Sequence, residues 1–175
     1  MSDSKQIYCM FYTILDDLIF YQILRIVNKI TNYEIKLYKY FSEKTHIRPQ
    51  NIIIINNFTF FFVNNEDYFF AKKFINSIRK ELIKKSLIIR AENTLITLLH
   101  SLFPDLYIHD IRIEWNVYSG KREICINFLS FKERGIAVGC NGDYIKTVNQ
   151  LFERNVILQN NDKPFKINCI ALRYR

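Results

Sequence analysis

Gly135-Ile136-Ala137-Val138-Gly139-Cys140-Asn141-Gly142, read GIAVGCNG, runs directly into DYIKTVNQLFERNV over 143–156. The chain has 4 glycines in 175 residues, and Gly135, Gly139 and Gly142 all fall in this short stretch. Glycine serves where the backbone must take a positive φ or lie against something bulky. Upstream stands a strand-like run, REICINFLSF (122–131). Downstream, Tyr144, Val148, Leu151 and Phe152 recur at i, i+4, i+7 and i+8, the period of an amphipathic helix. The glycines are therefore expected at a helix N-terminus, where unpaired amides and the positive end of the macrodipole suit a phosphate.

Three phosphate-binding patterns compete. The dinucleotide fingerprint needs G-x-G-x-x-G after a first strand, whereas the spacing here is G-x-x-x-G-x-x-G near the C-terminal end. A P-loop needs Lys-Ser or Lys-Thr after its last glycine, and Asp143-Tyr144 stands there instead. What remains is Gly139-Cys140-Asn141-Gly142 as the GXXG loop of a KH domain, which clamps a single-stranded nucleic-acid backbone.

The surrounding pattern agrees with that reading. A helical run ends at Pro104; IHDIRIEWNV (108–117) alternates as a strand; Ser119-Gly120-Lys121 makes a turn; REICINFLSF is the second strand. A short helical turn over 132–138, the glycine loop, the second helix, a polar loop QNNDKP (159–164) and a last strand FKINCIALRY (165–174) complete the order. The expected fold class is α+β: a type II KH domain, αββααβ, with a three-stranded sheet carrying helices on one face. Its boundaries are placed at 66–175, behind a helical extension over 1–50 and a β-hairpin over 51–65. In the first β-strand, Trp115 is expected as a core anchor and Arg112 as a surface charge.

The formal net charge of +8 and pI of about 9.3 favour a polyanionic partner. The excess is concentrated in 121–175, with 10 basic against 5 acidic residues. Lys132, Arg134 and Lys146 bracket the loop and supply cations beside its backbone donors, a combination that recognises backbone rather than base sequence. A second contact is expected from a two-faced helix over 66–85. There Phe70, Phe74, Ile75, Ile78 and Leu82 oppose Lys72, Lys73, Arg79, Lys80 and Lys84. Ser86 to Phe103 reads as a further apolar helix, and Tyr12 to Lys44 as mostly helix-compatible.

NIIIINNFTFFFVNN (51–65) reads as two strands joined at Asn56-Asn57, an apolar hairpin that something must cover. Cys9, Cys125, Cys140 and Cys169 lack the paired spacings of a zinc site, and His46, His100 and His109 form no catalytic signature. No metal, cofactor or enzymatic activity is expected. The 7–27 stretch is interrupted by Asp16, Asp17 and Arg25, so no membrane span is expected.

Residues 108–154 resemble the KH domain of the ribosomal small-subunit protein three family. Ile111-Arg112-Ile113-Glu114 stands for that family's first strand, Gly135 to Gly142 for its glycine segment, and Ile145 and Val148 for its helix positions. Residues 52–82 also resemble its entry, a short β segment and a helix ending at Ile78 to Leu82. Where the family carries lysine or arginine within the loop, this chain has Cys140 and Asn141. The resemblance implies a constituent of the small-subunit head that binds small-subunit rRNA, beside neighbouring head proteins and near entering mRNA. The family's second domain has no counterpart here, and a separate polypeptide is expected to supply it. The preference for Ile, Asn, Lys, Phe and Tyr, residues with AT-rich codons, suggests an organelle-encoded protein of mitochondrial ribosomes. Two alternatives stay open: a non-ribosomal KH factor of transcription elongation or ribosome assembly, and a protein-interaction module with a degenerate loop.

Overall fold

The computed structural model describes residues 18–159 and 165–171. Its elements, in order, are β1 (Leu24–Ile26), α1 (Asn32–Thr45), β2 (Asn51–Ile55), β3 (Phe58–Val63), α2 (Tyr68–Lys72), α3 (Ile75–Glu81) and β4 (Lys85–Arg90). Then come α4 (Leu95–Leu102), β5 (Ile108–Asn116), β6 (Lys121–Phe128), α5 (Phe131–Val138), a 3-10 turn (Cys140–Gly142), α6 (Asp143–Asn155), β7 (Val156–Leu158) and β8 (Lys166–Ala171). The chain is α+β, with two three-stranded mixed sheets and helices.

Those two sheets are wired alike. In the first, β2 pairs antiparallel with β3, and β3 pairs parallel with β4 after a two-helix crossover. In the second, β5 pairs antiparallel with β6, and β6 pairs parallel with β8, again after two helices. A helix precedes each, α1 and α4, so the order αββααβ occurs twice, with the short β7 inserted before β8 in the second copy. The sequence pattern predicts one such unit, over 66–175; the structure instead groups the hairpin of 51–65 with α1, α2, α3 and β4 as a unit of its own.

The expected helix over 86–103 divides into β4 and α4. Residues Lys85–Arg90 are drawn into the sheet because Phe58 to Val63 offers a parallel partner, registered Phe58 to Lys85 through Val63 to Arg90. The helix expected over 66–85 breaks into α2 and α3 at Lys73-Phe74, and Leu82 leaves it in an extended conformation. The N-terminal helical reading holds for α1, which Thr31 and Glu34 open with a reciprocal capping box. It fails at Leu24–Ile26, a strand paired antiparallel with Val156–Leu158; the part over 12–17 lies outside the described residues.

Every residue of β3 is buried because its sheet is covered on both faces. On one face, Phe61, Val63 and Ile88 join Leu37, Phe41, Tyr68, Ala71 and Ile78 from α1, α2 and α3. The Phe41 and Phe61 rings stack there at 4.6 Å. On the other face, Ile53, Phe60, Phe62 and Ile89 enter the main core with Leu98, Leu102, Val148, Leu151 and Phe152 from α4 and α6. The inner face of the second sheet, Ile124, Ile126, Phe128 and Ile167, closes the same core. Helices α4 and α6 thus serve both sheets, and the apolar hairpin is covered by this chain.

A candidate nucleic-acid interface at the glycine turn

Helix α5 starts at Ser130, whose hydroxyl accepts from Glu133 N at 3.1 Å, and ends where Gly139 N donates to Gly135 O at 2.9 Å. Gly139 then takes φ 77° and ψ 173°, a conformation essentially confined to glycine. A Cβ there would stand 2.9 Å from Tyr144 Cβ and 3.0 Å from Tyr144 N. Asn141 (φ 53°) and Gly142 (φ 76°) follow in the left-handed region, and Asp143 returns to right-handed helix. Gly142 N donates to Gly139 O at 3.2 Å and Asp143 N to Cys140 O, so the turn closes on itself. It opens α6, thirteen residues long, whose dipole places positive potential at this end.

Two of the three clustered glycines form this turn and one does not. Gly135 lies inside α5 without a positive φ, and a methyl added there would meet nothing within 4 Å. Cys140 and Asn141 stand at the exposed tip. The Tyr144 ring is buried against Phe58, Phe60 and Phe103, and its hydroxyl donates to Leu102 O at the end of α4. Burial pushes that phenol well above its ordinary range, so it remains a donor. The turn is thereby pinned to both units.

The expected cations are distributed unequally. Lys146 bends back over the turn, its Nζ donating to Asn141 O at 3.1 Å. Lys132 is exposed on α5. The Arg134 side chain is instead directed to the edge of β8, where its Nε donates to Cys169 O at 3.0 Å. Asn149 covers the next position of that edge, exchanging hydrogen bonds with Ile167 N at 2.7 Å and Ile167 O at 3.0 Å.

The second expected contact surface is not one stripe. Lys72 pairs with Asp105 at 2.5 Å, and that hydrogen bond holds its ammonium above the usual lysine range despite partial burial. Lys73 lies 5.5 Å from the Phe70 ring, Arg79 Nε donates to Ser86 O at 3.0 Å, and Lys80 is exposed. The basic residue of the first unit that reaches toward α6 is Lys84. Its Nζ donates to Asn56 O at 2.6 Å, and Asn56 in turn donates to Gln150 Oε1 at 3.1 Å.

Beside α6 an open cavity of about 680 Å3 is lined by Lys121, Lys146 and Lys166 together with Asn149, Gln150, Glu153 and Phe165. Lys121 and Lys166 are not singled out by the sequence pattern because each is the first residue of a strand. Their one signal is position: both stand at the same end of strands that the pattern makes neighbours. Trp115, expected in the core, is 64% exposed, because β5 runs beyond the hydrophobic layer that receives Ile111 and Ile113. Arg112 is on the surface as expected, paired with Asp110.

Among the described residues no group of three or more His, Cys, Asp or Glu is placed to hold a metal ion. Nor is any helix among them long and apolar enough to cross a membrane. No family model and no curated protein matches the chain. Among solved structures it is similar to the crystal structure of APE1850, at 20% sequence identity and a TM-score of 0.56. That likeness covers 82% of this chain and 100% of the other, and it is one of fold.

Proposed function

We propose that the protein is a non-catalytic, single-stranded RNA-binding factor built from two type II KH-like units, the second of which holds the RNA backbone. The observation that carries this reading is the turn at Gly139–Gly142: two helices joined through residues in glycine-favouring conformations, with Lys146 beside it and a lysine-lined cavity along α6. Backbone amides and lysines offer charge and hydrogen bonds to phosphate without distinguishing bases.

The doubling of αββααβ favours a factor with two tandem units, of the transcription-elongation or ribosome-assembly kind. A ribosomal constituent related to small-subunit protein three accounts for one KH unit and leaves the first sheet unexplained. Sedimentation of native extract at low and high salt separates the two. Co-migration with small-subunit RNA that survives high salt returns the protein to the ribosome; release at modest salt supports the factor.

The turn itself is tested by Gly142→Asp. Asp tolerates a left-handed backbone better than most residues, and a Cβ at 142 meets Lys146 Cε at an ordinary 3.5 Å. The new carboxylate would face Lys146 and any bound phosphate. A loss of roughly tenfold or more in affinity for a single-stranded RNA at matched salt is expected. Unchanged affinity would remove the turn from the interface and favour a protein-interaction module.

A further inference from the structure

Beyond the core, the β5–β6 hairpin carries a group of exposed side chains that no packing requirement explains. Trp115 is 64% exposed, Val117 84% and Tyr118 103%. Burying an aromatic ring is among the larger apolar gains available to a chain, and here that gain is left untaken. The tip that presents these residues is held by its own hydrogen bonds. Asn116 Oδ1 accepts from Tyr118 N at 2.9 Å and Ser119 N at 3.0 Å, Gly120 N donates to Asn116 O at 2.9 Å, and Gly120 takes φ 61°. A preordered turn holding aromatic rings outward spares a ligand the cost of ordering them.

The charges around the tip indicate which ligand. Trp115 is registered against Arg122, and Asn116 against Lys121. In an antiparallel pair, directly opposed residues share a face. Trp115 and Arg122 therefore lie on the face of the sheet that carries Ile113 and Ile124, the face against which the helices pack. Lys121 alternates to the opposite face, the face of Glu123, with which Lys166 pairs at 3.4 Å, yet both lysines line the cavity beside α6 with Lys146 and Glu153. The cations of the cavity and Arg122, which shares the face of Trp115, thus gather at the hairpin end of the sheet.

We infer that the hairpin tip is a base-stacking subsite: Trp115, with Tyr118, receives a nucleobase of the single strand whose phosphates follow Lys146, Lys166, Lys121 and Arg122. This rests on the RNA-binding reading and extends it. Stacking on an aromatic ring is tolerant of base identity because every base has a π-face, and cations beside the ring take the adjoining phosphates. The tip adds affinity and length to the site without adding sequence choice.

The chain has a single tryptophan, so its emission reports on this tip alone. The experiment titrates the full chain with oligo(U) and oligo(A) RNA 12-mers, following tryptophan emission and, in parallel, filter binding at fixed salt. The inference expects quenching of Trp115 emission that saturates with filter binding. It also expects roughly a tenfold affinity loss in Trp115→Ala, with Trp115→Phe close to the parent. Parent-like affinity of Trp115→Ala, within about twofold on this scale, overturns the subsite while leaving RNA binding at the turn in place. Absence of binding to either RNA at low salt overturns both readings. A blue shift that grows with protein concentration without RNA assigns the tip to protein contact and likewise overturns the subsite. Because the quenching measurement needs no variant, a Trp115→Ala protein that misfolds would not remove the test.

Discussion

Alanine substituted in turn at the three clustered glycines should give three different answers, and their order tests the geometry of the turn. At Gly139 an L-residue must hold φ 77° and ψ 173°, a conformation costing about 1–3 kcal/mol. Its methyl would also press on Tyr144 Cβ at 2.9 Å and on Tyr144 N at 3.0 Å. The tyrosine cannot yield cheaply, because its ring and hydroxyl are fixed in the core, and such overpacking adds about 1–3 kcal/mol. Gly142→Ala meets no close atom and carries only the left-handed penalty, about 1–2 kcal/mol. Gly135→Ala places a methyl in open space within a helix and should stabilise by roughly 0.5–1 kcal/mol. Urea unfolding with a common m-value measures the series, and thermal midpoints should move by about 2–4 °C per kcal/mol for a chain of this size. A Gly139→Ala protein as stable as Gly142→Ala would refute the close approach of the turn to Tyr144, and with it the link between turn and core.

Tyr144→Phe keeps the ring and removes the hydrogen bond to Leu102 O, leaving a helix-terminal carbonyl buried without its donor. A loss of about 1–3 kcal/mol in urea unfolding is expected, and a neutral result would show that solvent reaches that carbonyl. Among the cysteines in described positions, Cys125 and Cys169 are buried, and burial pushes both thiols up to about 12. With Cys140 exposed at the turn, a thiol reagent at pH 8 should modify Cys140 before Cys125 and Cys169, as read by peptide mass, and on the RNA-binding reading bound RNA should slow that reaction. The Glu123 carboxyl is disfavoured as a charge by burial, but Asn116, Lys166 and Asn168 outweigh this and hold its pKa below the ordinary glutamate range. A depressed folded-state value contributes stability that is present above the unfolded pKa and lost as pH falls through the folded one. Glu123→Gln should therefore flatten the acid limb of the stability curve below about pH 4.3, the ordinary glutamate value, and an unaltered limb would assign the acid sensitivity elsewhere.

The second unit is legible in the sequence because its elements obey local rules. Strand alternation in IHDIRIEWNV, the tight turn at Gly120 and the helical stripe of Tyr144, Val148, Leu151 and Phe152 all reappear in the structure. The first unit is legible only in part: its hairpin over 51–65 reads as two strands and is two strands, but its third strand is missed, and the reason is burial. A strand set parallel inside a covered sheet loses its period of two, so KSLIIR presents an apolar run that periodicity cannot assign. KSLIIR reads as helix because it adjoins a true helix and its partner strand is remote in sequence. Neither glycine nor spacing marks the α2–α3 junction as the counterpart of the α5–α6 turn, so the repetition of αββααβ leaves no trace in the residues. At the site, pattern locates the turn and Lys146, but not the engagement of Arg134 at the β8 edge. That engagement depends on a carbonyl supplied 35 positions away.

The same order of elements is buried differently in the two units. In the first unit α2 and α3 are five and seven residues long, joined by Lys73 and Phe74, and the sheet beside them has no free face. It has little left to offer a ligand and much to offer a neighbour. In the second unit the helices are eight and thirteen residues long, joined by a turn whose conformation only glycine supplies at Gly139, while Arg112 and Glu114 keep one face of its sheet polar. Helix α6 connects them. Its first buried residue, Tyr144, lies against Phe58 and Phe60 of the first sheet, and Gln150 accepts from Asn56 at that sheet's hairpin. Without the first unit, α6 would expose the side it turns toward Phe58 and Phe60, and the turn would lose the contacts that fix its N-terminal end. On the RNA-binding reading proposed above, the first unit serves the second by holding the glycine turn in place, so that a ligand there pays little to order it.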